Sequence, residues 1–388
     1  MTENTKTEQQ KPTSLPPFAC YHTPDLPELL KREDITVLIS TYQGGKVCCI
    51  SAQNEDSVIQ LPRNFNRTMG MAFDGQRLAI ALQDEVIILA NSPGLAKKYP
   101  NKLGTYDALF LPRQVHFTGS VAMHDLAWDK NGDLIGVATN FSCLCKFSDR
   151  NSFEPIWKPE FIDALTPDDR CHLNGLAMKD GEPAYVTAVG ETNETKGWSE
   201  GRATGGILID VKTDEIICRG LSMPHSPRCH NGKIYFCESG IGAISVFDPE
   251  TKTKEIIGKV PAFTRGMSIH GDYLYFGKSK LRSRGSIGGK EKLPIQETGQ
   301  TLEAGFGVIH LPTGGMMGQF TYATSCEEIY EILVLPGIKR PNLLNHNTPD
   351  HQTALSLPGQ SYWAVNPEAL AAKANEEQTG SEEKTKTD

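Results

Sequence analysis

Residues 172–189 read HLNGLAMKDGEPAYVTAV. The second half is ordinary strand chemistry: a charged turn, Lys179-Asp180-Gly181-Glu182, then an alternating run from Ala184 to Val189. The first half is not, because His172 and Asn174 lead straight into a segment that has to be buried. The pattern recurs along the chain. RTMGMAFDGQRLAIAL starts at Arg67, AMHDLAWDKNGDLIGVAT at Ala122, MPHSPRCHNGKIYFCES at Met223 and FTRGMSIHGDYLYFGKS at Phe263. A shorter copy, EIYEILVLPG, starts at Glu328. Aligned on one position, the copies place Met69, His124, Asn174, His225, Arg265 and Tyr330 in register, with successive spacings of 55, 50, 51, 40 and 65 residues.

A period near 50 residues, carried by short strands with no helix-length apolar pattern, predicts an all-β, six-bladed β-propeller. The segments between the copies supply further strand pairs, such as AISVFDPETKTKEIIG around the turn Asp248-Pro249-Glu250-Thr251. The sixth copy contains one strand only. ITVLISTYQGGKVCCIS (35–51) and SVIQLP (57–62) supply the strands it lacks. The last blade is therefore predicted to be closed by the N-terminal strands pairing with Ile329–Val334, which leaves no exposed sheet edge at the seam.

Composition agrees. The chain has 388 residues, 38% of them hydrophobic, with 36 Gly and 24 Pro, as many short strands and tight turns require. The propeller is expected over 17–367, with its core over about 35–345. Residues 1–16 and 368–388 lack apolar periodicity and read as disordered tails. A short helical turn is expected within PDLPELLKRED (24–34). The formal charge of −8, with no basic stretch interleaved with aromatics, argues against a nucleic-acid partner. No segment reaches the ~18 apolar residues of a membrane helix, so no membrane association is expected. The polar N-terminus has no signal-peptide core, and the ten scattered cysteines form no CxxC pair, so free thiols in the cytoplasm are expected. Cys143 and Cys145 share a strand face, but two ligands do not make a zinc site.

In a propeller the innermost strand of each blade runs along the axis, and residues two apart share a face. His124, Asn174, His225, Arg265 and Tyr330 are thus expected around one axial pocket, with His172, Glu327 and Glu328 beside them. Four of these, His124, His225, Arg265 and Tyr330, are candidate catalytic residues: imidazole for acid–base work near neutral pH and Arg265 for an anion. Asn174, Arg228, Asn140 and Trp198 are candidate substrate contacts, with Arg228 a second anion clamp and Trp198 on the polar insertion TNETKGWSEGRATGG (192–206). His124, His172, His225 and Glu328 are candidate ligands for a divalent metal, Zn, Fe or Mn, with Asp125 and Asn140 supporting them. GSIGGK (285–290), after Arg282 and Arg284, is expected to form a flexible loop over the mouth.

Together ISTYQGGK, RTMGMAFDG, HDLAW, DDRCHLNGLA, GLSMPHSPR and FTRGMSIHGD resemble a bacterial family of conserved hypothetical propeller proteins, over roughly residues 35–345. The resemblance implies the fold and carries no catalytic roles. At the level of fold the chain is also similar to gluconolactonase-like hydrolases, which hold a divalent metal with axial carboxylate and Asn ligands, and to virginiamycin B lyase, which relies on a His and a metal. His replaces most of the first group's ligands here. The expected function is an enzyme of lyase or hydrolase type, metal-assisted or His-based, acting on a small polar or peptidic substrate. The alternative is a non-catalytic propeller that binds a ligand or a protein. Oligomeric state is not legible.

Overall fold

The computed structural model describes residues 15–281 and 291–364. The expected tails therefore lie outside the described residues, apart from Leu15 and Pro16, and so does the loop at 285–290. Six sheets of four or five strands make six blades. Each is antiparallel along its length, with one exception at an outer edge.

The first blade is built from both ends of the chain. Glu331–Pro336 is its innermost strand and pairs antiparallel with Ile35–Thr41, in register from Ile35 opposite Pro336 to Ser40 opposite Glu331. Lys46–Ala52 and Val58–Asn64 complete it outward. This is the closure expected from the short sixth repeat. The second blade runs Met71–Phe73, Arg77–Ala81, Glu85–Asn91 and Ala108–Phe117 from inside to outside. The third begins with Met123–Trp128, the fourth with Leu173–Lys179, the fifth with Pro224–His230 and the sixth with Phe263–His270.

The sequence pattern did not reveal the outer additions. Cys20–His22 adds an antiparallel fifth strand to the sixth blade, against Gly315–Tyr322. Pro341–Leu343 runs parallel to Ala108–Phe110 on the second. Ala354–Leu357 and Gln360–Trp363 form a separate hairpin. These runs are three or four residues long, too short for period-two alternation to register.

One helix, Asp25–Arg32, covers the seam between the last and first blades. Leu26, Leu29 and Leu30 stand at i, i+3 and i+4, and all are buried against Ile39, Phe306 and Phe320. Acidic Asp25 and Glu28 lie in its first turn and Lys31 and Arg32 in its last, the order the helix dipole favours. The apolar core lies between neighbouring blades, as in the cluster of Leu38, Phe65, Leu78 and Leu335 that joins the first two. All ten cysteines are free, seven of them buried. No helix among the described residues is long and apolar enough to cross a membrane.

Candidate functional site

The innermost strands share an irregularity that sets the site. In the third blade Leu126 faces Gly136 and Met123 faces Ala138, so His124 and Asp125 together oppose Val137. In the sixth, Thr264 faces Lys278 and Met267 faces Phe276, so Arg265 and Gly266 together oppose Gly277. The fifth does the same after His225. These are β-bulges, which bend a strand and re-aim its side chains. Just before the inner strands, Arg67, Ala122, His172 and Met223 all have φ between 47° and 54°. Four non-glycine residues in the left-handed region at equivalent places show that each entry turn is held by tertiary packing.

At this end of the propeller a cavity of about 310 Å³ opens. Met69, His124, His172, His225, Arg265 and Tyr330 line it, one from or just before the innermost strand of each blade. Glu328 and Trp198 line it as well.

The imidazoles are oriented by their Nδ1 atoms. His124 Nδ1 donates to the Ala122 carbonyl at 3.0 Å. His225 Nδ1 donates to the Met223 carbonyl at 2.9 Å, with Ser239 Oγ 2.8 Å away. His172 Nδ1 lies 3.0 Å from both carboxylate oxygens of Asp169. Trp198 Nε1 donates to Asp169 Oδ2 at 3.0 Å, and its ring centre lies 4.3 Å from that of His172. Asp169 thus fixes the His172 ring and the Trp198 side chain at once. With Nδ1 protonated, Nε2 carries the lone pair in His124 and His172.

The His124 and His172 rings meet edge to face at 5.0 Å, and His124 meets Tyr330 at 5.5 Å. Burial holds the His124 imidazolium well below the usual histidine range, and the positive charge of Arg265 and the neighbouring His172 and His225 push it further down. Arg265 lies over the Tyr330 ring with Cζ 3.5 Å from the ring centre, a cation–π contact. Its guanidinium makes no ion pair with any described residue.

Three expected contacts lie elsewhere. Asn174 does not line the cavity: in the fourth blade it is the extra residue of a bulge between Leu173 and Gly175. Strict alternation, which would align it with His172, fails there. Its Oδ1 instead accepts from Thr187 Oγ1 at 2.8 Å. Asn140 is outside the cavity, with Nδ2 donating to the Ser120 carbonyl.

Arg228 is a structural ion partner deeper in the fold. Nη1 donates to Asp125 Oδ2 at 2.9 Å and Nη2 stands 3.3 Å from Glu331 Oε1. The Asp125 and Glu331 side chains are 2% and 3% exposed, against 23% for Arg228. Burial would lower the Arg228 guanidinium, but the adjacent Asp125 and Glu331 charges outweigh it and raise it. Burial raises the Glu331 carboxyl against the pull of Arg228. Asp125 also accepts from the backbone of Leu126 and Leu176, and Glu331 from Met267 and Ile332, so both are stitched into neighbouring blades. Asp125 is therefore occupied by Arg228 and backbone amides and does not support a metal at the mouth.

The expected metal ligands His124, His172, His225 and Glu328 all line the cavity. Among the described residues, however, no three His, Cys, Asp or Glu side chains gather closely enough to hold an ion. Sequence reasoning missed Asp169, Lys196, Lys280 and Phe263, which also line the cavity. The one legible sign of Asp169 was its place three residues before His172.

A family model described as "Domain of unknown function (DUF4915)" matches residues 24–344. No curated protein matches the chain. Among solved structures, a chain titled as a nidogen/laminin complex aligns with a TM-score of 0.47 and 8% identity, over 78% of this chain and 99% of that one. A streptogramin B lyase structure aligns with a TM-score of 0.37 and 14% identity, over 62% and 72%. Neither likeness extends to chemistry.

Proposed function

The chain belongs to the DUF4915 family over residues 24–344, and we propose that it is an enzyme of lyase or hydrolase type whose axial cavity removes a proton from a small polar substrate. One observation carries this reading. His172 is held by the half-buried Asp169 carboxylate on Nδ1 at 3.0 Å, while the ring itself lines the cavity. A carboxylate in that place fixes the tautomer, keeps Nε2 as the base and stabilises the imidazolium that forms. His172 takes the proton at Nε2. Asp169 is a positioning residue. Arg265 receives the negative charge that the substrate carries or develops, and His124, held neutral by burial and its cationic neighbours, can accept a hydrogen bond but does not compete as a cation.

A metal-assisted form of the same chemistry would draw on His124, His172, His225 and Glu328. Elemental analysis after reloading with Zn or Mn, together with the effect of a chelator on Tm, tests it separately. A second reading, a propeller that binds a protein, is favoured by one feature: Leu355, Leu357 and Tyr362 are 49%, 59% and 52% exposed on one face of the terminal hairpin.

The test is turnover. Wild-type protein and His172→Gln are incubated with a pool of small polar metabolites and peptides, and depletion is read by mass spectrometry. The enzymatic reading expects a compound consumed by wild type and about 10²–10⁴-fold more slowly by the variant. Equal consumption by both, or by neither, rejects it.

A further inference from the structure

The cavity is not uniformly polar: apolar and charged side chains line it together. Met69, Met223, Phe263 and Ile329 are its apolar lining, with the rings of Trp198 and Tyr330 beside His172 and Arg265. Its cations are Arg265, Lys196 and Lys280. Its carboxylates are Asp169 and Glu328, and Asp169 is already engaged by His172 and Trp198. Lys280 stands 3.5 Å from Glu327, whereas Arg265 lies over the Tyr330 ring and makes no ion pair with any described residue. A guanidinium that lines a cavity and is paired with no described carboxylate is a site for an anion, and its donor fork suits a planar two-oxygen group. The cavity volume is about 310 Å³. That is the low end of small-molecule sites and excludes a peptide of several residues or an oligosaccharide lying wholly inside.

From this we infer that the cavity takes a small carboxylate with an apolar, preferably aromatic, body: the carboxylate on Arg265, the body against Met69, Met223 and Phe263. The inference rests on the reading of this cavity as the site of function and narrows its substrate from small polar compounds to arylalkanoate-like monoanions. The carboxylate carbon on Arg265 leaves the rest of the molecule between the apolar lining and the His124–His172 pair, where the base is. Uncharged compounds of the same shape lack a partner for the guanidinium, and acetate lacks the body that covers the apolar lining.

Isothermal titration of the full chain with phenylacetate, 3-phenylpropionate, 2-phenylethanol and acetate tests this without requiring turnover. The expected result is saturable one-to-one binding of the two aryl acids, with 2-phenylethanol and acetate each weaker by about ten-fold or more. Arg265→Lys should weaken the acids by about ten-fold while leaving 2-phenylethanol unchanged, because the charge remains but the fork is lost. An alcohol that binds as tightly as the acid overturns the inference. So does acetate that binds as tightly as phenylacetate, or failure of both aryl acids to bind. The wild-type comparison of acid with alcohol decides the matter even if the Lys variant does not fold. Binding of aryl acids by a protein that turns over nothing supports this inference and overturns the enzymatic reading alone. Turnover of an uncharged compound with no aryl-acid binding does the reverse.

Discussion

His124 shows how a single side chain ties stability to the site. Its Nδ1 is committed to the Ala122 carbonyl, and its ring is packed against His172 and Tyr330 beside the Arg265 cation. The folded state therefore resists protonating it, while the unfolded chain protonates it near the ordinary value of about 6.5. Below that pH the unfolded state binds the proton that the folded state refuses, so stability falls as pH falls. Urea unfolding at pH 7.5 and 5.5 checks the sign. His124→Gln should show a smaller loss between the two than wild type, and an equal loss would exclude His124 as the cause. Asp169 belongs to the same scale. Asp169→Asn keeps the shape but removes the charge that steadies His172, so kcat should fall about 10²-fold or more with KM little changed. A rise in KM alone would make Asp169 a packing residue only.

Among the elements, the bulged inner strand is the device that makes the site. Two residues oppose one in the third, fifth and sixth blades; the bulge includes His124 in the third and Arg265 in the sixth and follows His225 in the fifth, and pairing resumes at Leu126, Arg228 and Met267. The neighbouring strand must make room. A Cβ on Gly277 would lie 2.1 Å from the Arg265 carbonyl oxygen, a backbone atom that cannot swing aside. Gly277→Ala should therefore destabilise the fold by about 1–3 kcal/mol and displace Arg265, weakening anion binding as well. Gly315 is a suitable control. An added Cβ there meets only the Thr313 hydroxyl, at 3.3 Å, and Gly315→Ala should leave the urea midpoint nearly unchanged. If both variants unfold alike, the close approach at Gly277 does not hold the bulge.

At the scale of the whole molecule, two features close the ring. The first is the Arg228–Asp125–Glu331 triad, which links the fifth, third and first blades across the centre. Arg228→Met leaves two buried carboxylates without their cation and should cost about 3–5 kcal/mol. Replacing Asp125 and Glu331 by Leu as well should recover only part of this. Both carboxylates also accept backbone N–H groups from Leu126, Leu176, Met267 and Ile332, which would then be orphaned. Full recovery in the triple variant would show that the triad acts as a charge cluster and not as a backbone stitch. The second feature is the seam. A chain beginning at residue 63 lacks Ile35–Thr41 and Lys46–Ala52, leaving Glu331–Pro336 unpaired and Leu38 and Ile39 gone from the core. Such a chain should lose cooperative unfolding in a thermal melt; a melt like that of the intact chain would contradict closure by the N-terminal strands.

The repeat was legible because an inner strand and its turn cost the same chemistry in every blade. Met69-Gly70, His124-Asp125, Asn174-Gly175, His225-Ser226, Arg265-Gly266 and Tyr330-Glu331 each place one register residue, at the mouth in every blade but the fourth, before one that must fit against, or bond to, a neighbouring blade. From that local regularity the sequence by itself determined six blades, the closing partner Ile35–Thr41 and the gathering of His124, His172, His225, Arg265, Tyr330 and Glu328. It could not determine which side chains turn into the cavity. Asn174 and His225 occupy the same register position, yet one bulge leaves Asn174 bonded to Thr187 while another leaves His225 at the mouth. Nor could it tell Arg228 from Arg265, since two arginines on inner strands look alike until their partners are known. Asp125 lies 103 residues from Arg228 and Glu331 the same distance on the other side, so only the closed ring brings both charges to one guanidinium and leaves the other without either. The physical reason is range: strand periodicity and turn chemistry act over a few residues, whereas the ionisation and orientation of the site are set by neighbours that the chain reaches only by completing the circle.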